Sequence, residues 1–178
     1  MDRRSTKTRE YLIKALEQLI QTKDFEKLTI AQITEAADVN RATFYAHFLD
    51  KYDLLDATIT QNIEEQFQQH QLELVELNEE QVKKLFLSMA SLHMDYHTAC
   101  TRGHETQYGV ITKQLKNKIQ QLLAPHMDEI AANLFSAVLV EAYENLRMNR
   151  HLAPVQYFEV IKPILFSGLN FYIKKEAE

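Results

Sequence analysis

The sequence is poor in the residues that punctuate β architectures. Its 178 residues include three glycines, three prolines and no tryptophan. Sandwiches and barrels draw on Gly and Pro at their strand reversals, so this scarcity argues against both. The phosphate loops GxGxxG and GxxxxGKS/T are missing too. So are a nucleophile elbow and a helical metalloprotease motif, and no enzymatic activity is expected. A single cysteine, Cys100, excludes an internal disulfide framework and fits a reducing compartment. No apolar run approaches the roughly 18 residues needed to cross a bilayer. The opening MDRRSTKTRE lacks the apolar stretch of a signal peptide. The expectation is a soluble, all-α, cytoplasmic protein with no cofactor, no metal and no membrane partner.

What is present supports a helical protein with an uneven charge distribution. Hydrophobic residues make up 46% of the chain and charged residues 25%, enough apolar material for a core without staples. The net charge is −5, but residues 1–55 balance nine Lys/Arg against nine Asp/Glu, while residues 56–178 hold eleven against sixteen. Arg3, Arg4, Lys7 and Arg9 crowd the first nine residues against Asp2. A basic leading edge ahead of an acidic body implies two tasks.

Apolar spacing places a first helix over Thr6 to Thr22, through Tyr11, Leu12, Ala15, Leu16, Leu19 and Ile20. After a break at Lys23-Asp24-Phe25, Thr29 and Gln32 form a capping-box pattern that opens a second, short helix. Asp38-Val39-Asn40 is a tight connector, and Asn40 can cap a third helix from Arg41 to about Phe48. Asp50 can cap a fourth running toward Phe67. Two short helices separated by a turn have the layout of a helix-turn-helix. Longer helices follow over about Asn78 to His97, Thr106 to Leu123 and Met127 to Met148, with a last one from Pro154 that contains Pro163 and Gly168.

The third helix carries the most chemistry. Phe44 and Phe48, four apart, can anchor one face, which turns Arg41, Ala42, Thr43, Tyr45 and His47 outward. Such a face suits a major groove: Arg pairs with guanine edges, Thr offers a hydroxyl or a methyl, and Tyr reaches phosphate. Lys51 adds a cation near the duplex backbone, beside helix amides that favour anions.

The run Asn40-Arg41-Ala42-Thr43-Phe44-Tyr45-Ala46-His47-Phe48, followed by Asp50-Lys51 and Leu54-Leu55, resembles the recognition helix and fourth-helix start of the tetracycline-repressor (TetR) family of bacterial transcription regulators. The resemblance covers about residues 6 to 56. Asp38 departs from the glycine frequent in that turn, although Asp tolerates a left-handed backbone better than most residues.

The resemblance implies a DNA-binding domain over residues 1–50, with Thr29, Asn40, Arg41, Ala42, Thr43, Tyr45, His47 and Lys51 at the duplex. Residues 51–178 would form a ligand-binding and dimerisation domain, joined to the first by the fourth helix. In the resembled family the two C-terminal helices pair into a four-helix dimer interface. That gives Leu134, Val138, Phe158, Ile161, Leu165 and Leu169 as interface residues, and a palindromic operator with half-sites about 34–36 Å apart. The same stripes would serve equally as monomer core.

An unknown small-molecule effector would release such a repressor from DNA. Met89, His93, Tyr96, Tyr108 and Phe135 suit a largely apolar pocket with a few polar tips, and equally suit a plain core. His93, His97, Cys100 and His104, spaced by four, three and four, are an alternative metal or thiol sensor. Thr101-Arg102-Gly103 interrupts their helical face. A helical adaptor whose helix-turn-helix binds protein is the other alternative, and the basic leader with Arg41 favours DNA.

Overall fold

The computed structural model describes residues 3–72, 74–99, 104–148 and 151–173, with side chains described for residues 6–72, 74–91, 106–148 and 151–167. Eight α-helices and no strand lie among the described residues: α1 (Arg3–Ile20), α2 (Ile30–Ala36), α3 (Arg41–Tyr45), α4 (Lys51–Gln69), α5 (Glu79–Ala99), α6 (His104–Leu123), α7 (Glu129–Met148) and α8 (Pro154–Ile173). The all-α expectation holds. Two compact units share these helices, one comprising Met1–Glu64 with Asp95–Ile111 and the other Glu65–Met94 with Thr112–Glu178.

Most helix starts follow from caps visible in the sequence. Thr29 accepts from the Gln32 N–H at 3.3 Å while Gln32 Oε1 accepts from the Thr29 N–H at 3.0 Å, completing the capping box of α2. Asn40 Oδ1 accepts from the Thr43 N–H at 2.7 Å to open α3. Asp50, Asn78 and Asp128 cap α4, α5 and α7 in the same way. Asp38 does adopt a left-handed backbone, with φ 53°. There the Val39 N–H reaches back to the Thr34 carbonyl at 3.0 Å and closes α2.

In the first unit, Leu12, Ile13 and Leu16 of α1 are buried with Phe25, Ile33, Phe44, Leu54, Leu55 and Ile59. The break after α1 contains a 3-10 turn, Phe25–Lys27, that apolar spacing does not reveal. It carries the fully buried Phe25, whose ring meets Tyr52 edge-on at 5.4 Å.

The second unit packs Val82, Leu85, Phe86 and Met89 of α5 with Leu115, Ile119 and Leu123 of α6, then Leu139 and Tyr143 of α7 and Phe158 and Leu165 of α8. Phe86 stacks on Tyr157 at 6.0 Å and meets Phe158 at 5.8 Å. Lys83 pairs with Glu159 at 2.6 Å, and Lys162 pairs with Glu79 at 2.5 Å, across α5 and α8. These pairs are solvent-exposed and add little free energy. They fix how the two helices slide against each other.

One expectation is corrected here. On α7, Leu134 and Val138, expected at the interface, stand exposed with Ile130, at 64%, 43% and 73%. The small residues Ala131, Ala132, Ser136 and Ala142 face inward instead, letting the backbone approach its neighbours closely. Phe158, Ile161 and Leu165, expected at a dimer interface, lie in the core of their own unit at 0%, 9% and 3% exposure. The outer face of α8 carries Val160 and Ile164. Truncation of Phe158 to Ala should therefore cost about 3–5 kcal/mol of fold stability. The midpoint of urea unfolding should fall by the same amount at low and high protein concentration, as a core residue requires and an interface residue does not.

Candidate nucleic-acid interface

The candidate surface is α3 and the turns on either side of it. Phe44 is fully buried and Phe48 is 4% exposed, with ring centroids 5.9 Å apart. Anchoring on these two rings leaves Arg41, Ala42 and Tyr45 exposed and Thr43 and His47 half-buried. The helix is shorter than its apolar pattern suggests, ending at Tyr45. His47 and Phe48 both donate their N–H to the Phe44 carbonyl at 2.9 Å, which tightens the last turn. The Arg41 guanidinium lies 5.9 Å above the Tyr45 ring one turn later. That stacking holds a flexible cation on the exposed face at modest cost in side-chain freedom.

The other polar residues at this surface also hold the fold. The Thr43 hydroxyl donates to Asn40 Oδ1 at 2.9 Å, and the Thr29 hydroxyl donates to Gln32 Oε1 at 3.2 Å. Both hydroxyls keep an acceptor role, so a base edge or a water can still donate to Thr43.

Lys51 is where structure and expectation part. Its ammonium, anticipated beside the duplex backbone, donates to the carbonyls of Phe25, Glu26 and Leu28 at 3.0, 2.8 and 3.2 Å. Three donors meet three acceptors, and the Nζ also lies 4.9 Å from the Phe25 ring centroid. The Phe25 carbonyl also accepts the Leu28 N–H at 3.1 Å, and Lys51 gathers it with the carbonyls of Glu26 and Leu28 at the end of the 3-10 turn. Its charge is committed to joining the start of α4 to the turn after α1.

That turn in turn holds Glu26, which the sequence reading passed over. The Glu26 carboxylate accepts from the Thr106 hydroxyl at 2.6 Å and from the Tyr52 hydroxyl at 2.8 Å. These two bonds hold the carboxyl below its ordinary range, the Thr106 bond more strongly, with the Lys51 charge adding to them. The same carboxylate pushes the Tyr52 phenol up. Contacts separated by 80 residues leave no mark on local sequence pattern.

With this geometry in place, comparison with known proteins is specific. Residues 12–58 match the model for bacterial regulatory proteins of the tetR family. The chain carries a tetR-family domain. The matched span runs from the buried Leu12 through α3 to the buried Thr58 of α4. A helix-turn-helix-type transcriptional regulator of Bacillus subtilis strain 168, YxbF, itself uncharacterised, is 41% identical over 66 residues. That match takes in 36% of this chain and 17% of the relative's length.

Solved structures share the fold beyond the tetR-family domain. NalD of Pseudomonas aeruginosa, the secondary repressor of a multidrug efflux pump, superposes with a TM-score of 0.56 at 19% identity, covering 93% of this chain and 96% of that one. The fatty acid degradation regulator FadR of Bacillus halodurans gives 0.51 at 18% identity, covering 89% and 92%. At such identities the likeness is one of fold.

Outside the tetR-family domain, the anticipated effector residues are dispersed or undescribed. Met89 is fully buried and Phe135 half-buried in the second unit, while Tyr108 is half-buried in the first. Two depressions of the second unit, about 260 and 540 Å³, are lined by Leu72, Lys84 and Leu85 and by Gln120, Met127 and Asn133 among others. Neither includes Met89 or Phe135. Cys100 lies outside the described residues, as do the side chains of His93, Tyr96, His97, His104 and Leu169. No group of three or more metal-binding side chains occurs among the described residues.

Two measurements check this network. Replacing Lys51 with Met keeps the stem and removes the three donors. Unfolding stability should drop by about 2 kcal/mol in urea titrations, the scale of lost charged hydrogen bonds. For Glu26, a carboxyl lowered by folding contributes stability above its ordinary value of 4.5, and that contribution is lost as pH falls through the depressed value. Stability measured on acidification below about pH 4.5 should therefore fall more steeply in the wild type than in Glu26→Gln, with Thr106→Val between them.

Proposed function

We propose that the protein is a homodimeric, sequence-specific DNA-binding transcriptional regulator, acting as a repressor that an effector releases from a palindromic operator. The observation that carries this reading is the exposed face of α3. Arg41, Ala42, Thr43 and Tyr45 are presented by a helix locked through Phe44 and Phe48, inside a span matching the tetR-family model. Arg41 and Thr43 would read base edges, with Tyr45, His47 and Thr29 toward phosphates and Asn40 holding the entry of α3. Two repressors or regulators, NalD and FadR, share the fold. The role is non-enzymatic and cytoplasmic. No helix among the described residues is long and apolar enough to cross a membrane, which is consistent with that setting.

The partner surface for a second copy is the apolar face that α7 and α8 leave uncovered. Ile130, Leu134 and Val138 recur at one-turn spacing on α7, and Val160 and Ile164 do so on α8. Exposed rows of this kind on neighbouring helices are what a four-helix seam would bury. Leu134 and Val138 keep the interface role expected from the sequence. Val160 and Ile164 take over from the core residues Phe158, Ile161 and Leu165.

Effector control is supported by the resemblance and by the presence of a second compact unit apart from the DNA-reading one. The effector would favour a dimer conformation that binds DNA weakly and shift the population toward it. The second unit would hold it, with Met89, His93 and Phe135 as contacts.

Selection of bound duplexes from a random pool by the purified protein should recover a palindrome. Arg41→Ala should weaken binding to it by 1–3 kcal/mol, roughly 5- to 150-fold, and relax preference at one position of each half-site. Absence of any enriched sequence, or a mobility shift indifferent to Arg41→Ala and Tyr45→Ala, would turn the reading toward a protein-binding adaptor. For the seam, Ile164→Asp should give a monomer by sedimentation equilibrium and lose the palindrome, while its helical circular dichroism stays unchanged.

A further inference from the structure

With Lys51 spent on three carbonyls, the cation anticipated at the start of α4 is absent from the exposed surface of the first unit. Another stands where α3 ends. The guanidinium carbon of Arg9, on α1, lies 5.5 Å from the centroid of the Phe48 ring. Phe48 is buried beneath it, Arg9 is half-exposed, and the His47 ring is 6.4 Å from the same Phe48 ring. No ion pair engages Arg9 among the described residues. A guanidinium held over an aromatic ring spends no hydrogen bond on it and keeps its N–H donors available, in a fork that matches a phosphate.

The surroundings of Arg9 favour an anionic partner. The first turn of α1 holds Arg3 and Arg4 and no acidic residue. Cations at a helix N-terminus oppose the macrodipole, so this basic edge does not stabilise the helix that carries it. Lys7 continues it as an exposed side chain. Among the described residues, a guanidinium without an ion pair thus lies on α1, five residues after that edge, beside the Phe48 ring that follows α3.

We infer that Arg9, stacked on Phe48, is a DNA-backbone contact of the tetR-family domain, clamping a phosphate beside the bases that α3 reads. The inference rests on the proposed DNA-binding function and adds a residue to it. A phosphate contact fixes register on the duplex and carries no sequence information itself. The competing role is packing, in which the arginine stem merely covers the Phe48 ring.

The two roles separate in a salt titration. Binding of the palindromic duplex recovered by selection, and of a scrambled duplex, is followed by fluorescence anisotropy between about 50 and 300 mM salt, with thermal unfolding of each variant alongside. Arg9→Gln should weaken binding to both duplexes by a similar factor. It should also reduce the slope of log K against log salt by about 0.9 per protomer, as loss of one phosphate contact requires. Arg9→Lys should keep most of that slope. If Arg9→Gln unfolds, Arg9→Met preserves the stem over the ring and serves in its place. An unchanged slope with lowered thermal stability would overturn the inference and leave Arg9 a packing residue, with the DNA-binding reading intact. A wild-type protein showing no salt-dependent binding to any duplex would overturn both.

Discussion

Helices shorter than about a dozen residues do not persist in water on their own, and α3, whose face would read DNA, is five residues long. Everything asked of that face depends on what holds the helix from outside. Two aromatic rings, Phe44 and Phe48, supply the anchor from within the core. Asn40 closes the start, taking both the N–H and the hydroxyl of Thr43, and the Phe44 carbonyl gathers two N–H groups at the end. The exposed residues contribute little to this. Their freedom from structural duty lets the exposed face vary toward one duplex sequence or another without unfolding the helix.

The residues around α3 divide their polar groups between fold and ligand, and the division follows geometry. The Lys51 ammonium has three acceptors within reach and uses them all. Through those bonds the end of the 3-10 turn is fixed, and with it Glu26, whose carboxylate ties Tyr52 and Thr106 together. The guanidiniums of Arg41 and Arg9 instead lie against aromatic faces. Stacking orients a cation while leaving its hydrogen-bond donors unspent. One lysine and two arginines thus hold opposite places in the same small domain because an ammonium concentrates its donors at a point and a guanidinium spreads them along an edge.

What the sequence made legible was the local chemistry. Caps at Thr29, Asn40 and Asp50 act within three residues of themselves, as do Asn78 and Asp128, which the sequence reading does not single out as caps, and the left-handed turn at Asp38 acts within five. The outward face of α3 followed from two phenylalanines four apart. What stayed hidden depended on long-range packing. Helix α8 is apolar on more than one side, so periodicity could not say whether Phe158 or Val160 faces the core. Helix α7 did hold a signal. Its small residues, Ala131, Ala132, Ser136 and Ala142, mark a close approach inside the unit, which leaves Ile130, Leu134 and Val138 for the outside. The committed role of Lys51 and the tie between Glu26 and Thr106 had no local signature, since both join residues far apart in the chain.

The net charge of −5 illustrates how a global sum misleads about a local surface. At physiological ionic strength a charge is felt over a Debye length of about 8 Å, so the acidic excess beyond residue 56 is screened at any surface farther away than that. What a phosphate experiences on approach is the immediate set of cations and the carboxylates paired with them. In the first unit Glu26 is occupied by two hydroxyls and Asp53 by the Leu49 N–H. Asp50 accepts the N–H groups of Tyr52 and Asp53. These carboxylates sit on backbone or hydroxyl donors, so the charge balance of residues 1–55 does not become charge-balanced pairing. The guanidiniums of Arg41 and Arg9 keep their positive field over the Tyr45 and Phe48 rings, and a segment of zero net charge can in this way carry a local cationic patch.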